Sequence, residues 1–270
     1  RWPGRKPGEY KWYEIQDTID YYADFAKPKI LYPVIARTNT FALDFRQLYS
    51  NDKTFIIPAA TPFCLALLNS LAAFLWARAE LSWLRGGFLE YRAQSMAKFP
   101  IRRIAFTTPP AERAQLVEEV KRLYRVAAER AEEAPPVPAL FSDLLVFVEE
   151  RLKKVHQPDP ELVRKHNADP LNKDWQIPEG ALWEQSDVVH DLLAFLAEEM
   201  IRLNEEKQTE MKNFLAWLEA ELQVKPDKMG NTGIEALTGK TALKNYLGDY
   251  QKAEPEVPFD ELWKILQKNK

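Results

Sequence analysis

An α+β fold is expected for this chain: a small mixed β-sheet with a core helix, followed by a mostly α-helical C-terminal part. Three observations predict it. Short β-prone runs bracketed by proline and turn residues occupy the first sixty positions. A strongly apolar helix pattern follows Thr61-Pro62. Beyond residue 108, apolar side chains recur at helical spacing through much of the chain.

Lys29-Ile30-Leu31-Tyr32 is a short β-prone run between Pro28 and Pro33. Proline is tolerated at strand starts and edges, so both ends are marked. Thr40-Phe41-Ala42-Leu43-Asp44 alternates weakly, and Asn51-Asp52-Lys53 makes a turn. Thr54-Phe55-Ile56-Ile57 is an apolar run ended by Pro58. This spacing suits a small mixed or antiparallel sheet. Thr61 as N-cap and Pro62 at the first helical position then open a helix. It runs through Leu65, Leu68, Leu71, Phe74 and Leu75 towards Arg85, with Gly86-Gly87 as its stop. A membrane span needs about 20 apolar residues. Asn69-Ser70, Arg78 and Glu80 interrupt the run, so a buried core helix is expected and no membrane partner.

Thr108-Pro109 repeats the helix-start signal, with Glu112 in the first turn. Leu116, Val117, Val120, Leu123, Tyr124 and Ala127 form an amphipathic stripe. Ala134-Pro135-Pro136-Val137-Pro138 reads as a stiff break. A short helix is predicted over Ser142 to Val155, and a long Pro-rich connection over 156–180. Ser186 to Leu222 has the strongest helical pattern, with Ser186 as N-cap and one long apolar stripe through Leu192, Leu196, Met200 and Leu203. Two shorter helices, Ile234 to Tyr246 and Phe259 to Lys268, complete the reading. Two regions result: 1–108, and a helical 109–270 with its Pro-rich connections near 134–138 and 156–180.

The charge follows this division. The 270 residues carry 37 Lys+Arg and 40 Asp+Glu, a net of −3. Residues 1–110 hold 15 and 9, a net of +6, and residues 111–270 hold 22 and 31, a net of −9. Such asymmetry hints at a polyanion partner for the basic half. The chain opens Arg1-Trp2, with no initiator Met and no charged-then-apolar leader. It therefore reads as an excised C-terminal piece of a longer protein.

Composition disfavours several chemistries. Cys64 is the single cysteine, so neither an internal disulfide nor a multi-cysteine zinc site can form. A cytoplasmic location is the default for such a chain. His156, His166 and His190 are scattered without ligand spacing, and no metal site is expected. Nine glycines are few for a glycine-rich nucleotide fold. Gly239-Lys240-Thr241 resembles the end of a P-loop, but Ile234 stands where its first glycine belongs. Pro158-Asp159 and Glu205-x-Lys207 do not make a nuclease site, because the second pair lies inside a long helix. No catalytic residue is assigned.

The basic half remains. Lys27, Lys29, Arg37, Arg78, Arg85, Arg92 and Arg102 are interleaved with Tyr32, Phe41, Tyr49, Trp76, Trp83 and Tyr91. Lys and Arg neutralise phosphates, and Arg also reads guanine edges. These seven cations form the pool expected to hold DNA contacts. Lys29 has a second reading, as a strand-start residue with a structural role.

The order of elements over residues 11–104 resembles a known family. It runs Trp12-Tyr13-Glu14, then Phe25-Ala26-Lys27-Pro28-Lys29-Ile30-Leu31-Tyr32-Pro33-Val34-Ile35, then Phe41-Ala42-Leu43-Asp44. Leu67-Leu68-Asn69-Ser70-Leu71-Ala72-Ala73-Phe74-Leu75, Gly86-Gly87 and Met96-Ala97-Lys98-Phe99-Pro100-Ile101 complete it. This succession resembles the TaqI-like C-terminal specificity domain of adenine-specific DNA methyltransferases. Such domains also occur in type IIG restriction-modification enzymes and related phage-defence methyltransferases. The helical remainder resembles the C-terminal extensions of large members.

The resemblance implies sequence-specific recognition of double-stranded DNA. In the family, a separate N-terminal domain binds S-adenosylmethionine and methylates an adenine flipped out of the stack. Here Thr108-Pro109-Pro110 and Ala134-Pro135-Pro136 do not match the family's Asn/Asp-Pro-Pro-Tyr/Phe motif. The fragment alone is therefore expected to be no enzyme and to hold no cofactor, with S-adenosylmethionine and catalysis belonging to a missing N-terminal methyltransferase domain. The other reading is a helical protein-interaction module, in which the acidic half docks a methyltransferase or nuclease domain or a partner subunit.

Overall fold

The computed structural model describes residues 20–133 and 141–222, with isolated positions at 8, 9, 11, 260 and 264. The Trp12-Tyr13-Glu14 segment, the Ala134–Pro138 break, the Gly239-Lys240-Thr241 motif and the Ile234–Tyr246 helix lie outside the described residues. So does nearly all of the Phe259–Lys268 helix.

A 3-10 turn, Asp20–Ala26, leads into strand β1 (Lys29–Pro33). Strand β2 (Ile35–Ala36) follows, then β3 (Ala42–Asp44) and β4 (Thr54–Pro58). β1 lies at the centre of one sheet in the order β3-β1-β4, antiparallel to both neighbours. Its central position buries Ile30 and Tyr32, and the flanking prolines stand only at strand ends. The expected runs at 29–32 and 54–57 are thus both strands.

The single mixed sheet becomes two antiparallel ones. The second is built from β2, β5 (Ser82–Leu84) and β6 (Phe88–Glu90), in the order β2-β6-β5. Its cause lies at Gly86-Gly87, which was expected to stop a helix. Both glycines have positive φ, 88° and 78°, and they turn the β5–β6 hairpin. Glycine enters that region without a Cβ penalty.

The long apolar helix is likewise two helices. α1 (Pro62–Leu68) starts as expected, with the Thr61 side chain accepting from the Cys64 N–H. Asn69 then ends it. Its side-chain amide donates to the Phe41 carbonyl at 2.9 Å, and its carbonyl accepts from the Phe41 N–H at 3.1 Å. Ser70 caps α2 (Leu71–Glu80) by accepting from the Ala73 N–H. The two axes meet at 57°. α1 buries Phe63, Leu65 and Leu68, whereas α2 buries its small residues Ala73 and Ala77 and leaves Leu71 and Leu75 exposed. Among the described residues no single helix is long and apolar enough to cross a membrane.

A short helix, α3 (Ala93–Met96), leads to an extended segment and then α4 (Pro110–Glu133). α5 (Ser142–Arg151) is shorter than expected. The chain beyond it pairs His156 with Trp183 as an isolated antiparallel bridge. The Pro-rich 156–180 stretch is not all connection. It contains α6 (Pro160–Ala168), capped by the Asp159 carboxylate, which accepts from the Glu161 and Leu162 N–H groups. Proline at the first position suits a helix start, because its missing donor would have had no partner there. α7 (Ser186–Leu222) spans the expected range, but Ser186 does not cap it: among the described residues its buried hydroxyl has no hydrogen-bond partner, and the helix starts from the Gln185 carbonyl.

α7 unites the molecule. Leu192 and Val188 join Val120, Ala127, Leu144 and Phe147 in a core shared with α4 and α5. One turn further on, Ala197 and Ile201 pack into the core of the first sheet, with Ile30, Leu65 and Leu68. At its start, the buried Asp187 accepts from the Thr108 N–H at 2.9 Å and from the Thr108 hydroxyl at 2.6 Å. Arg113 forks onto both Asp191 oxygens at 2.7 and 2.6 Å. These bonds lock α4 to α7.

Candidate nucleic-acid interface

The second sheet positions the candidate cations. Strand side chains alternate between faces, and directly paired residues share one. Ala36 and Leu89 are paired and buried. The opposite face therefore carries Ile35, Leu84, Phe88 and Glu90, with Arg37 and Arg92 continuing it just beyond β2 and β6. Ile35 is 49% exposed and Leu84 36%, so this face is open to solvent.

Each arginine is held differently. The Arg37 guanidinium lies 4.7 Å from the centre of the Phe88 ring. Arg92 pairs with Glu90 at 2.9 Å, a bond that raises its pKa above the ordinary value. Arg78, at the end of α2, lies 5.6 Å from the Trp83 ring and 5.9 Å from Phe74. The Trp83 indole N–H donates to the Arg78 carbonyl at 3.1 Å, fixing the ring at the sheet edge. Arg85 occupies the hairpin tip, exposed. Stacking leaves the in-plane guanidinium donors of Arg37 and Arg78 free for acceptors in solvent.

Beneath the sheet, Tyr91 is 2% exposed and donates to the Asn39 side-chain carbonyl at 2.9 Å. Burial pushes its phenol up to about 12. Asn39 in turn donates to the Leu68 carbonyl at 2.7 Å, linking the sheet to the α1–α2 corner.

Three of the seven expected cations lie elsewhere. Lys27 is exposed near the start of β1 and pairs with Asp24 at 2.7 Å. Lys29 is fully buried: its ammonium donates to the Asp44 carboxylate and to the Phe25 carbonyl. It cannot meet a phosphate from that position, and its second reading, as a structural strand-start residue, is the one the fold adopts. Arg102 binds both oxygens of Glu184, each at 2.6 Å, and so neutralises a carboxylate that is only 5% exposed. The structure thus sets Arg37 and Arg92 on one face of the second sheet, Arg85 at its hairpin tip and Arg78 against Trp83 of its edge strand, and places the rest elsewhere. Phe88 and Leu84 were not among the expected site residues. The Ser82–Leu84 and Phe88–Glu90 runs on either side of Arg85-Gly86-Gly87 are the hairpin signal that could have found them.

The histidines are structural. His156 and His166 bond backbone carbonyls of Glu150 and Trp175. His190 pairs with Asp191 between the Phe63 and Phe106 rings. Among the described residues no three His, Cys, Asp or Glu side chains converge as a metal cage.

A groove of about 990 Å³ separates β3 and its following loop from α7. Leu43, Phe45 and Leu48 line one wall, and Ala197, Met200 and Ile201 the other.

The fold and site define an arginine-faced α+β unit secured to a helical annex. The family model of the TaqI-like C-terminal specificity domain matches residues 4–101. The match spans both sheets and α1 to α3 and ends before α4, somewhat more than a third of the chain. It covers the same stretch as the Pro-Lys-Ile, Leu-Asn-Ser and Phe-Pro-Ile succession. No curated protein gives a significant match to the chain.

Proposed function

We propose that this chain is the DNA target-recognition part of an adenine N6 DNA methyltransferase serving restriction-modification or phage defence, in the cytoplasm. Methyl transfer from S-adenosylmethionine is assigned to a separate methyltransferase domain. One observation carries the reading: four exposed guanidinium groups gather on and around one small sheet, inside the stretch that matches a specificity domain. Phosphate contacts would set register, and base-edge contacts would choose the sequence.

The test is binding of the 270-residue chain to random duplex DNA across a salt series. Each phosphate neutralised adds about −0.9 to the slope of log affinity against log salt. Replacing Arg37, Arg78, Arg85 and Arg92 together by Ala should flatten that slope and weaken binding at least tenfold. Absence of binding at low salt by the unaltered chain would sink the proposal.

The groove beside α7 favours a second, compatible role for the helical part, as the docking face for the methyltransferase domain. Met200 is 61% exposed in its wall, and Phe45 is 62% exposed opposite. Large apolar side chains exposed together mark contact sites. Met200→Glu should then abolish co-purification with that domain and leave DNA binding unchanged. Undiminished co-purification would remove this role.

A further inference from the structure

Arg85 differs from the other expected cations. Lys27, Lys29, Arg92 and Arg102 are ion-paired, and Arg37 and Arg78 lie over rings. Among the described residues, Arg85 has no carboxylate, carbonyl or ring partner, so all five of its donors are uncommitted.

Its setting is equally open. β5 is an edge strand, and Ser82, Trp83 and Leu84 are all exposed. Arg85, Gly86 and Gly87 in the turn are all exposed, and a Cβ built on Gly87 would meet nothing within 4 Å. β2 pairs only with Leu89 and Glu90, so the sheet narrows to two strands at Leu84, Phe88 and the turn, and a two-stranded tip with strands about 4.8 Å apart fits a major groove about 12 Å wide. Charge also favours a polyanion. Arg37, Arg78 and Arg92 flank the ribbon, against Glu80 and a Glu90 already paired to Arg92. Double-stranded RNA is a poorer match, since its major groove is too deep and narrow for side chains to read.

We infer that the β5–β6 hairpin enters the major groove of duplex DNA and that Arg85 at its tip reads a guanine, donating to O6 and N7. The flanking arginines hold the phosphates on either side. This rests on the DNA-recognition reading above and adds to it the groove, the element and the reading residue.

The experiment selects bound sequences from a random duplex library with the 270-residue chain, its Arg85→Ala and Arg85→Lys variants, and an Arg37→Ala/Arg92→Ala variant. Thermal melting checks that all remain folded, as expected for exposed positions. The unaltered chain should enrich a G·C pair at a defined position. Arg85→Ala should lose roughly ten- to hundredfold of that preference at that one position. Arg37→Ala/Arg92→Ala should weaken all sequences alike and flatten the salt slope. If Arg85→Ala also weakens all sequences alike, Arg85 is a phosphate contact and the inference is overturned. If Arg85→Ala changes nothing while the double variant weakens binding, the hairpin stays outside the groove and only the broader DNA reading survives. Binding without any enriched base pair likewise overturns base reading by Arg85. Failure of every protein to bind at low salt would remove the DNA reading itself.

Discussion

Lys29 and Asp44 are direct cross-strand partners in the first sheet, and their side chains form an ion pair closed to solvent. Asp44 also accepts from the Arg46 and Leu48 N–H groups at 2.8 and 2.9 Å. The pair therefore fixes the turn after β3 as well as the β1–β3 register. Removing one member of a buried pair strands the other charge and costs about 3–5 kcal/mol. Lys29→Met alone should lose an amount of this order in urea unfolding. Lys29→Met combined with Asp44→Leu should lose less than the sum of the two single changes. Full additivity would show that the two groups do not interact.

Acid should weaken the fold through the same carboxylate. Burial works against its charge, but the Lys29 bond and the two backbone N–H groups together hold its carboxyl below the ordinary range. A depressed folded-state value stabilises above the unfolded value, near 4, and that stability is lost as pH falls through the lower folded value. Unfolding free energies should therefore fall below about pH 4. Asp44→Asn should start lower and show a flatter dependence. Parallel curves for the two proteins would refute the assignment.

Tyr91 predicts the opposite limb. Its phenol titrates near 12 in the folded chain, against about 10 when unfolded. The neutral ring is favoured by folding, so its contribution is complete below pH 10 and falls as pH rises towards 12. The two-unit difference corresponds to about 3 kcal/mol. Tyr91→Phe should remove this alkaline loss. It should also cost about 1–3 kcal/mol at neutral pH, because the Asn39 carbonyl is left without its donor. Chemical denaturation at pH 8 and at pH 11 separates the two effects.

Much of this architecture was legible. The stripe from Leu116 to Ala127 and the long Ser186–Leu222 pattern are local periodicities, and both are helices; the first stripe enters a core, whereas in the second Leu192 and Leu196 pack inward, Met200 and Leu203 are exposed, and Ala197 and Ile201 pack in their place. β1 and β4 were readable because proline marked their ends. What sequence alone did not show was set by partners distant in the chain. Asn69 breaks the apolar helix because Phe41, 28 residues earlier, supplies a donor and an acceptor for its amide. Lys29 keeps two readings in the sequence, DNA contact or structural strand-start residue, because nothing adjacent reveals Asp44. The α6 start at Asp159-Pro160 was visible as a cap and a first-turn proline, but the density of prolines around it masked the signal. At the interface, the four arginines were in the expected pool. Their placement around one sheet depends on the hairpin at Gly86-Gly87, a pair whose local sequence equally suits a helix stop.

The junction of α4 and α7 gives a further expectation. Asp187 is fully buried, and both of its oxygens accept from Thr108. Asp187→Ala leaves the Thr108 N–H and hydroxyl without acceptors in a dry site, at a cost of about 2–3 kcal/mol. Thr108→Val removes one of the two donors and should cost less. Equal losses in guanidinium melts would mean that the hydroxyl bond dominates.

Ala197 and Ile201 place part of the first sheet's core on a helix that begins 85 residues after the family-matched stretch ends. A chain severed after residue 108 would lose the Ala197 and Ile201 part of the core that holds Leu65 and Leu68. Unfolding should thus be one transition rather than two. Changes that loosen α7 should reach the arginine-bearing hairpin without touching it, which makes the acidic helical half a splint for the basic one.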